Sequence, residues 1–526
     1  MGTYINKGNN AFERVRKSEY VDKSGLIAIV NETLFTEHCF SCVTRCRRFG
    51  KSMAAKMLCA YYDCSCDSRS LFADLEIAKH PSFEQHLNKY PVLYVDMTDF
   101  MAKYRDENIV KTLDAKIRAD VCAAYPGLPT LDDDDLMDLL LRVVEQTKKP
   151  FVFIIDEWDV ICREFKPGSK AMENYVDWLR RLFKSVQAVD AFAGVYMTGI
   201  LPIKKFRVQS AMNNFREYSM VTPRAMSRYF GFTQEEVLQL AEKHNMDFSE
   251  LEKWYDGYQI GDQPSMFNPN SVMESISCGY CESFWGRTGA TDPIADFIKM
   301  NYEGLKDDII SMLGGAQCRV NPTGFNNDLH DVRSRDDVLT VLIHLGYLSY
   351  DRVSRRCRIP NLEVSGEMEL AVRDTNWEHV TDALRQSEVL LDATLASDAE
   401  TVAHMVDKAH DEHTSILSYN NENSMACVLS IAYYYAHNDY IFHRELPTGK
   451  GFADLVLIPR KNVDKPALVL ELKYDHDTQT AIDQIRQKNY PAKIAEYVGD
   501  ILLVGINYDR EQKTHSCQIA TWRKEE

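Results

Sequence analysis

From Phe40 to about Thr198, short apolar runs alternate with longer amphipathic segments, the pattern of βαβ units feeding a mainly parallel sheet. The runs are CFSCV, PVLYVDM at 91–97, PFVFIID at 150–156 and AFAGVYMTG at 191–199, each of strand length and flanked by turn or charge signals. Between about Tyr229 and Gln386 the period becomes helical, as in FTQEEVLQLAEKH, where Thr233 and Glu236 have the spacing of a capping box. Aromatic clusters interrupt this stretch, and Trp254, Tyr255, Tyr258 and Trp285 read as the core of a small domain in preference to a base-stacking surface. From about Ala396 the texture changes again. SMACVLSIAYYYAH reads as a buried helix, YIFHREL, GFADLVLIP and ALVLELKY as strands, TAIDQIRQKNYPAKIAEY as an amphipathic helix and DILLVGINY as a further strand. The turn Thr448-Gly449-Lys450-Gly451 marks a hairpin between the first two of those strands. The expected fold class is α/β in three parts: a parallel-sheet domain over 1–228, a helical lid and connector over 229–395, and a second α/β domain over 396–526.

Composition narrows the function classes. At 526 residues the chain is too long for one ordinary core, and 45% hydrophobic with 26% charged residues is a globular balance. A net charge of -17 argues against a protein that coats nucleic acid non-specifically, while leaving room for a local basic groove. The acidic run Asp132 to Asp135 reads as a solvated helix start. The first residues, MGTYINKGNNAFERVRKSEY, lack the apolar core of a secretory signal, Asn6 stands where myristoylation wants Ser or Thr, and no apolar run reaches membrane-spanning length. A cytoplasmic protein without a membrane segment is expected. The pairs Cys39/Cys42 and Cys278/Cys281 have zinc-like spacing, but Cys39 and Cys42 fall in a strand-like run where residues three apart face opposite ways, so buried thiols are expected.

Phosphate binding needs a tight loop between a strand and a helix, so that backbone N–H groups and the positive helix end face the phosphates and a lysine reaches the terminal ones. Arg45-Cys46-Arg47-Arg48-Phe49-Gly50-Lys51-Ser52 has that context, lying between an apolar strand and the helix MAAKMLCAYY. Five residues before Gly50 the usual glycine is replaced by Arg45. PFVFIIDEWD supplies the second motif: an apolar strand ending in Asp156, placed to hold Mg²⁺ with Ser52, and Glu157, placed to polarise the attacking water. Taken alone, Asp156-Glu157 reads as a surface turn, but its order and separation from the loop favour the paired motif. Thr198, ending a strand, has the type and place of a polar sensor of the γ-phosphate, with simple strand termination as the alternative. The expected nucleotide contacts are Arg47, Arg48, Gly50, Lys51, Ser52, Asp156 and Thr198.

A magnesium-dependent phosphodiesterase needs carboxylates to hold hard cations beside the scissile phosphate and a lysine to position water or neutralise charge. Asp454 sits on one strand, and Glu471 and Lys473, separated by Leu472, share a face of the next. The competing reading is an edge-strand salt bridge between Glu471 and Lys473.

These residues carry a resemblance. RRFGKS, FIIDEWD, MTGILPIKK, FGFTQEEV, WYDGY, FNPNSV, LGYLSY, IPNLEV and the C-terminal series through GFADLVL and LVLELKY resemble the AAA-ATPase-like proteins that carry a C-terminal nuclease-like domain of the PD-(D/E)xK superfamily. The resemblance implies a P-loop NTPase domain, a lid and a restriction-endonuclease-like domain. In that family the loop likewise has arginine in place of the first glycine, and many members have proline where Cys46 stands. It further implies that Asp454, Glu471 and Lys473 form the nuclease signature, with Glu422 near the metal and Gln484 and Tyr490 on the following helix. His443, Arg444 and Lys450 lie beside them as candidate backbone contacts. The implied function is an ATP-dependent or ATP-gated nuclease using ATP and Mg²⁺, with Mn²⁺ as a substitute at the nuclease-like site, and acting on DNA or RNA. The alternative is a nucleotide-switched scaffold whose nuclease-like domain binds a partner without cutting. Arg207, Arg216 and Arg224 are candidates for an arginine acting between subunits, which would make the active form a homo-oligomer.

Overall fold

The computed structural model describes residues 2–131, 134–203, 212–286, 294–373, 378–413, 432–447, 452–459, 463–474, 481–483, 499–509 and 511–522. They form two compact units, Met1–Phe284 with Arg319–Asn361, and Trp285–Cys318 with Leu362–Glu526. The stretch 229–395 therefore contributes to both units.

In the first unit β1 (Phe40–Thr44), β2 (Val92–Asp96), β3 (Phe151–Asp156), β4 (Phe192–Gly199) and β5 (Arg216–Tyr218) form a parallel sheet in the order β2, β3, β4, β1, β5. Every residue of β3 and β4 is buried, which is why these strands read as continuous apolar runs: a parallel sheet is covered on both faces. Alternation along β3 separates two cores. Phe151, Phe153 and Ile155 join Tyr175, Leu179 and Phe183 of the helix Lys170–Lys184 on one face. Val152 and Ile154 join Ala55 and Leu58 of the helix Lys51–Tyr62 on the other. No apolar run marks β5 in the sequence, since it is three residues long and two of them are charged.

The rest of this unit is smaller. β6 (Phe232–Thr233), β7 (Tyr258–Ile260) and β8 (Gln263–Phe267) form a sheet in the order β6, β8, β7. Thr233 caps the helix Gln234–His244 reciprocally with Glu236, as its spacing predicted. Tyr255 lies in the local core with Trp254 packed against it, and Tyr258 meets Phe49 edge-on at 5.0 Å, while Trp285 belongs to the other unit. Beyond β9 (Cys318–Arg319), β10 (Ser349–Asp351) and β11 (Arg356–Arg358) make an antiparallel hairpin.

Two expectations change. Asp135 does cap the helix Leu136–Thr147, but Asp134 is buried and paired with Arg142 at 2.6 Å instead of being solvated; 132 and 133 lie outside the described residues. Cys39 precedes β1, so it packs into the same core as Cys42, and Cys278 is exposed.

In the second unit β12 (Tyr440–Pro447), β13 (Phe452–Pro459), β14 (Ala467–Tyr474), β15 (Ile501–Asp509) and β16 (Thr514–Trp522) form one sheet in chain order. Only β14 and β15 run parallel, a pairing that needs a long crossover between them. Leu468 and Leu470 face one core and Ala467 and Val469 the other. β16 was not anticipated, because its polar and apolar residues mix without a run. Most of the helix expected at 424–437, the turn at 448–451 and most of the helix expected at 480–497 lie outside the described residues.

Candidate functional site

The carboxyl ends of β1, β3 and β4 bring three loops together, the usual location of a ligand on an open α/β sheet. After β1 the chain turns through Arg45–Phe49 to Gly50, which caps the helix Lys51–Tyr62 in the left-handed region at φ 86°. A Cβ there would meet nothing within 4 Å, so backbone conformation, not crowding, asks for glycine. Gly199 has the opposite reason: a Cβ would come within 2.7 Å of Trp158 and Asp159.

Lys51 is buried and donates to the carbonyls of Arg45 at 3.0 Å and Cys46 at 3.1 Å, and its Nζ lies 3.3 Å from Glu157 Oε1. Asp156, also buried, accepts from Thr198, whose hydroxyl in turn accepts from the Glu157 N–H at 3.2 Å, and Ser52 lies close enough to act on its carboxyl. Burial pushes the Asp156 carboxyl above its ordinary value against the bonds from Thr198 and Ser52. Glu157 sits in the left-handed region at φ 54°, which turns its carboxylate toward Lys51 and Arg163. Burial would raise the Glu157 carboxyl, but Lys51 and Arg163 together outweigh it and hold the group below its ordinary value.

The structure thus brings Lys51, Asp156, Glu157 and Thr198 into one bonded cluster, with Gly50 and Ser52 beside it. Arg47 is half-buried and its charge acts on Glu157, whereas the Arg48 guanidinium donates to the Phe284 carbonyl. Sequence reading missed three participants. Arg163 bridges Glu157 at 2.9 Å and Asp159 at 3.0 Å, and Asp159 also accepts from the Ile200 and Leu201 N–H groups. The Asp159/Arg163 spacing of four on a helix was the available signal. Tyr94 reaches Asp156 at 3.5 Å from the neighbouring strand, which no sequence spacing announces. Arg45 is fully buried with its guanidinium on the carbonyls of Thr44 and Tyr218 and over the Phe230 ring; burial lowers it to about 10. Of the arginines considered for action between subunits, Arg216 lies on β5 beside Tyr218, Arg224 is exposed, and Arg207 is outside the described residues.

In the second unit Lys473 donates to Glu471 at 3.0 Å, and Glu471 is 2% exposed. β14 is the middle strand of its sheet, so this is not an edge-strand pair. The β13–β14 register pairs Leu455 with Leu470, so positions 454 and 471 each lie one residue beyond that last pair. Asn507, buried, is the β15 partner of Lys473, and Gly505 is the partner of Glu471. The side chains of Asp454, His443 and Arg444, and residues Glu422, Lys450, Gln484 and Tyr490 altogether, lie outside what is described.

Comparison with known proteins agrees with this division. Residues 7–209 match the family model Predicted AAA-ATPase, and residues 420–518 match that of the PD-(D/E)XK nuclease superfamily. An uncharacterized protein of the vnfD 5′ region in Azotobacter chroococcum mcd 1 is 21% identical over 549 residues, spanning 96% of each chain. Among solved structures, the Aeropyrum pernix ORC2 protein in its ADPNP–ADP complexes aligns with 69% of this chain and 98% of its own, at 12% identity and a TM-score of 0.32. AMPPCP-bound DnaA from Aquifex aeolicus aligns with 70% of this chain and 93% of its own, at 7% identity and a TM-score of 0.25. Scores this low do not extend to the geometry of a site.

Proposed function

We propose that this chain, which joins an AAA-ATPase-like domain to a PD-(D/E)XK-type domain, binds and hydrolyses ATP at Lys51, Ser52, Asp156 and Glu157. In the same reading that cycle governs a metal-dependent phosphodiesterase site at Asp454, Glu471 and Lys473 acting on DNA or RNA. The observation that carries the first part is the bonded cluster in which a buried lysine at a helix start, a hydroxyl, a buried aspartate and a glutamate converge.

The donor set fits magnesium, since the Ser52 hydroxyl and the Asp156 carboxylate are hard oxygen ligands near each other. Bound there, the ion would neutralise charge on the β- and γ-phosphates. Backbone N–H groups at the start of the helix Lys51–Tyr62 cradle the phosphates, and Lys51 exchanges Glu157 for a γ-phosphate oxygen. Glu157, released, accepts a proton from water as the water oxygen attacks the γ-phosphorus. The bond to the β–γ bridging oxygen breaks, and ADP departs with the electron pair. Thr198 holds Asp156 and the Glu157 backbone together, so it keeps the metal ligand and the base in register. An arginine from a second copy, with Arg207, Arg216 and Arg224 as candidates, would complete the charge stabilisation in a homo-oligomer.

At the second site, Glu471 is a hard donor held by Lys473 inside a central strand, an arrangement whose desolvation cost argues for use over decoration. Glu471, with Asp454 one residue beyond the last β13–β14 pair, suits Mg²⁺ or Mn²⁺, and Lys473 would neutralise the scissile phosphate. Incubation of the purified chain with single-stranded DNA, duplex DNA and RNA, with and without ATP and Mg²⁺, tests this part. Cleavage lost in both Asp454→Ala and Lys473→Ala supports it. Absence of cleavage under every condition favours a nucleotide-switched scaffold.

A further inference from the structure

We infer that the β10–β11 hairpin and the cleft beside it form a binding site for the phosphodiester backbone of a nucleic acid. The hairpin reads Asp351-Arg352-Val353-Ser354-Arg355-Arg356-Cys357-Arg358, and no acidic residue follows Asp351 until Glu363. Arg352, Arg355 and Arg356 are exposed, Val353 at the tip is 93% exposed, and Arg355 takes the left-handed conformation, φ 54°, that closes the turn.

Behind the hairpin lies a cleft of about 410 Å³ whose lining includes Arg319, Asn321, Arg335, Asp336, Ser354 and Arg355. Three guanidiniums there face one carboxylate, and that carboxylate is already engaged: Asp336 pairs with Arg335 at 2.6 Å and accepts from the Asn321 N–H at 3.2 Å. Arg335 also donates to the Arg319 carbonyl at 2.9 Å, which ties the cleft floor to the strand end. Arg319, Arg352, Arg355 and Arg356 make no ion pair among the described residues. Asp351, the one acid within the hairpin, is turned onto the Val353 and Ser354 N–H groups and the Gln259 amide.

Long, solvated guanidiniums left without carboxylates are unusual in a chain of net charge -17, where acids are plentiful. The global charge does not cancel the patch, because charges beyond about 8 Å are screened at physiological salt. A cleft alone would suit a single free phosphate. Arginines continuing from the cleft along the hairpin suit a polymer that presents a phosphate every few ångströms, and guanidinium forks match phosphate oxygens two at a time. The site lies on the first unit and is distinct from the Glu471 and Lys473 cluster. It rests on the proposed nucleic-acid function only for the choice of polyanion.

Fluorescence anisotropy of the full chain with a labelled duplex and a labelled single strand tests the inference, with EDTA and without ATP, so that binding is read apart from cleavage. The wild type should bind, and four neutralised phosphates would weaken duplex affinity roughly 150-fold between 50 and 200 mM salt. The triple variant R352Q/R355Q/R356Q, altering exposed turn residues, should bind at least about tenfold more weakly and with a flatter salt slope. R319Q, on a different segment, should weaken binding in the same direction. Wild type that binds neither probe, variants that bind as well as wild type, or full displacement by inorganic phosphate at matched ionic strength would overturn the inference.

Discussion

Lys51 Nζ and Glu157 Oε1 stand 3.3 Å apart, so the residue that should hold the γ-phosphate and the residue that should activate water hold each other. Each is the other's counter-charge, and in the proposed mechanism a phosphate that takes the lysine breaks the contact. Glu157→Gln keeps the shape and removes the charge. ATP turnover should fall about 10²- to 10⁴-fold, the usual worth of a positioned base. Nucleotide affinity measured by calorimetry should hold or improve, since Lys51 loses a competitor. Turnover near wild type would remove Glu157 from the mechanism.

Arg163 is the second counter-charge of Glu157 and the side-chain cation bonded to Asp159, which is 1% exposed. Arg163→Ala strands that buried carboxylate with only backbone N–H donors, at a cost of about 3 kcal/mol in unfolding free energy. Chemical denaturation measures it, and a change within error would mean that the Ile200 and Leu201 N–H groups suffice.

Asp156 gives the site a pH signature. Its folded value lies above the ordinary 3.8, chiefly through burial, so protonation favours the fold: that contribution is full below the unfolded value and is lost as pH rises through the folded one. Glu157 runs the other way, contributing stability above 4.5 that is lost as pH falls through its lowered folded value. If Asp156 holds magnesium as proposed, it must be ionised to do so, and Mg²⁺–ATP affinity should fall on acidification. Thr198→Val removes a bond that lowers the Asp156 value and should move this fall to higher pH. An unmoved profile in titrations of the variant would contradict the role given to Thr198.

At the start of the helix Gln234–His244, Thr233→Ala removes one half of a reciprocal cap and should cost about 1 kcal/mol. Thermal unfolding reads it, with ATP turnover as the property expected to stay unchanged.

Much of this was legible in the chain, and the exceptions have physical causes. Strands β1 to β4 announce themselves because burial on both faces makes them largely apolar, and Gly50-Lys51-Ser52 and Asp156-Glu157 stand at or just after the carboxyl ends of β1 and β3, where charged residues break the apolar run. β5 and β16 were missed because a short edge strand and a mixed one carry no run. Asp134 was misjudged because its partner Arg142 lies eight residues on, two turns along a helix, and charge spacing alone does not distinguish a solvated acid from a paired one. Tyr94 and Arg45 act through neighbours that only the fold supplies: one from the adjacent strand, the other on the Tyr218 carbonyl far along the chain.

Whether the loop at Lys51 binds ATP for hydrolysis, as proposed, is decided by ATP turnover in the wild type beside Lys51→Ala. The wild type should release phosphate in a Mg²⁺-dependent way and the variant should not, with the fold retained by circular dichroism. Equal turnover in the two proteins, or none in either, would contradict it.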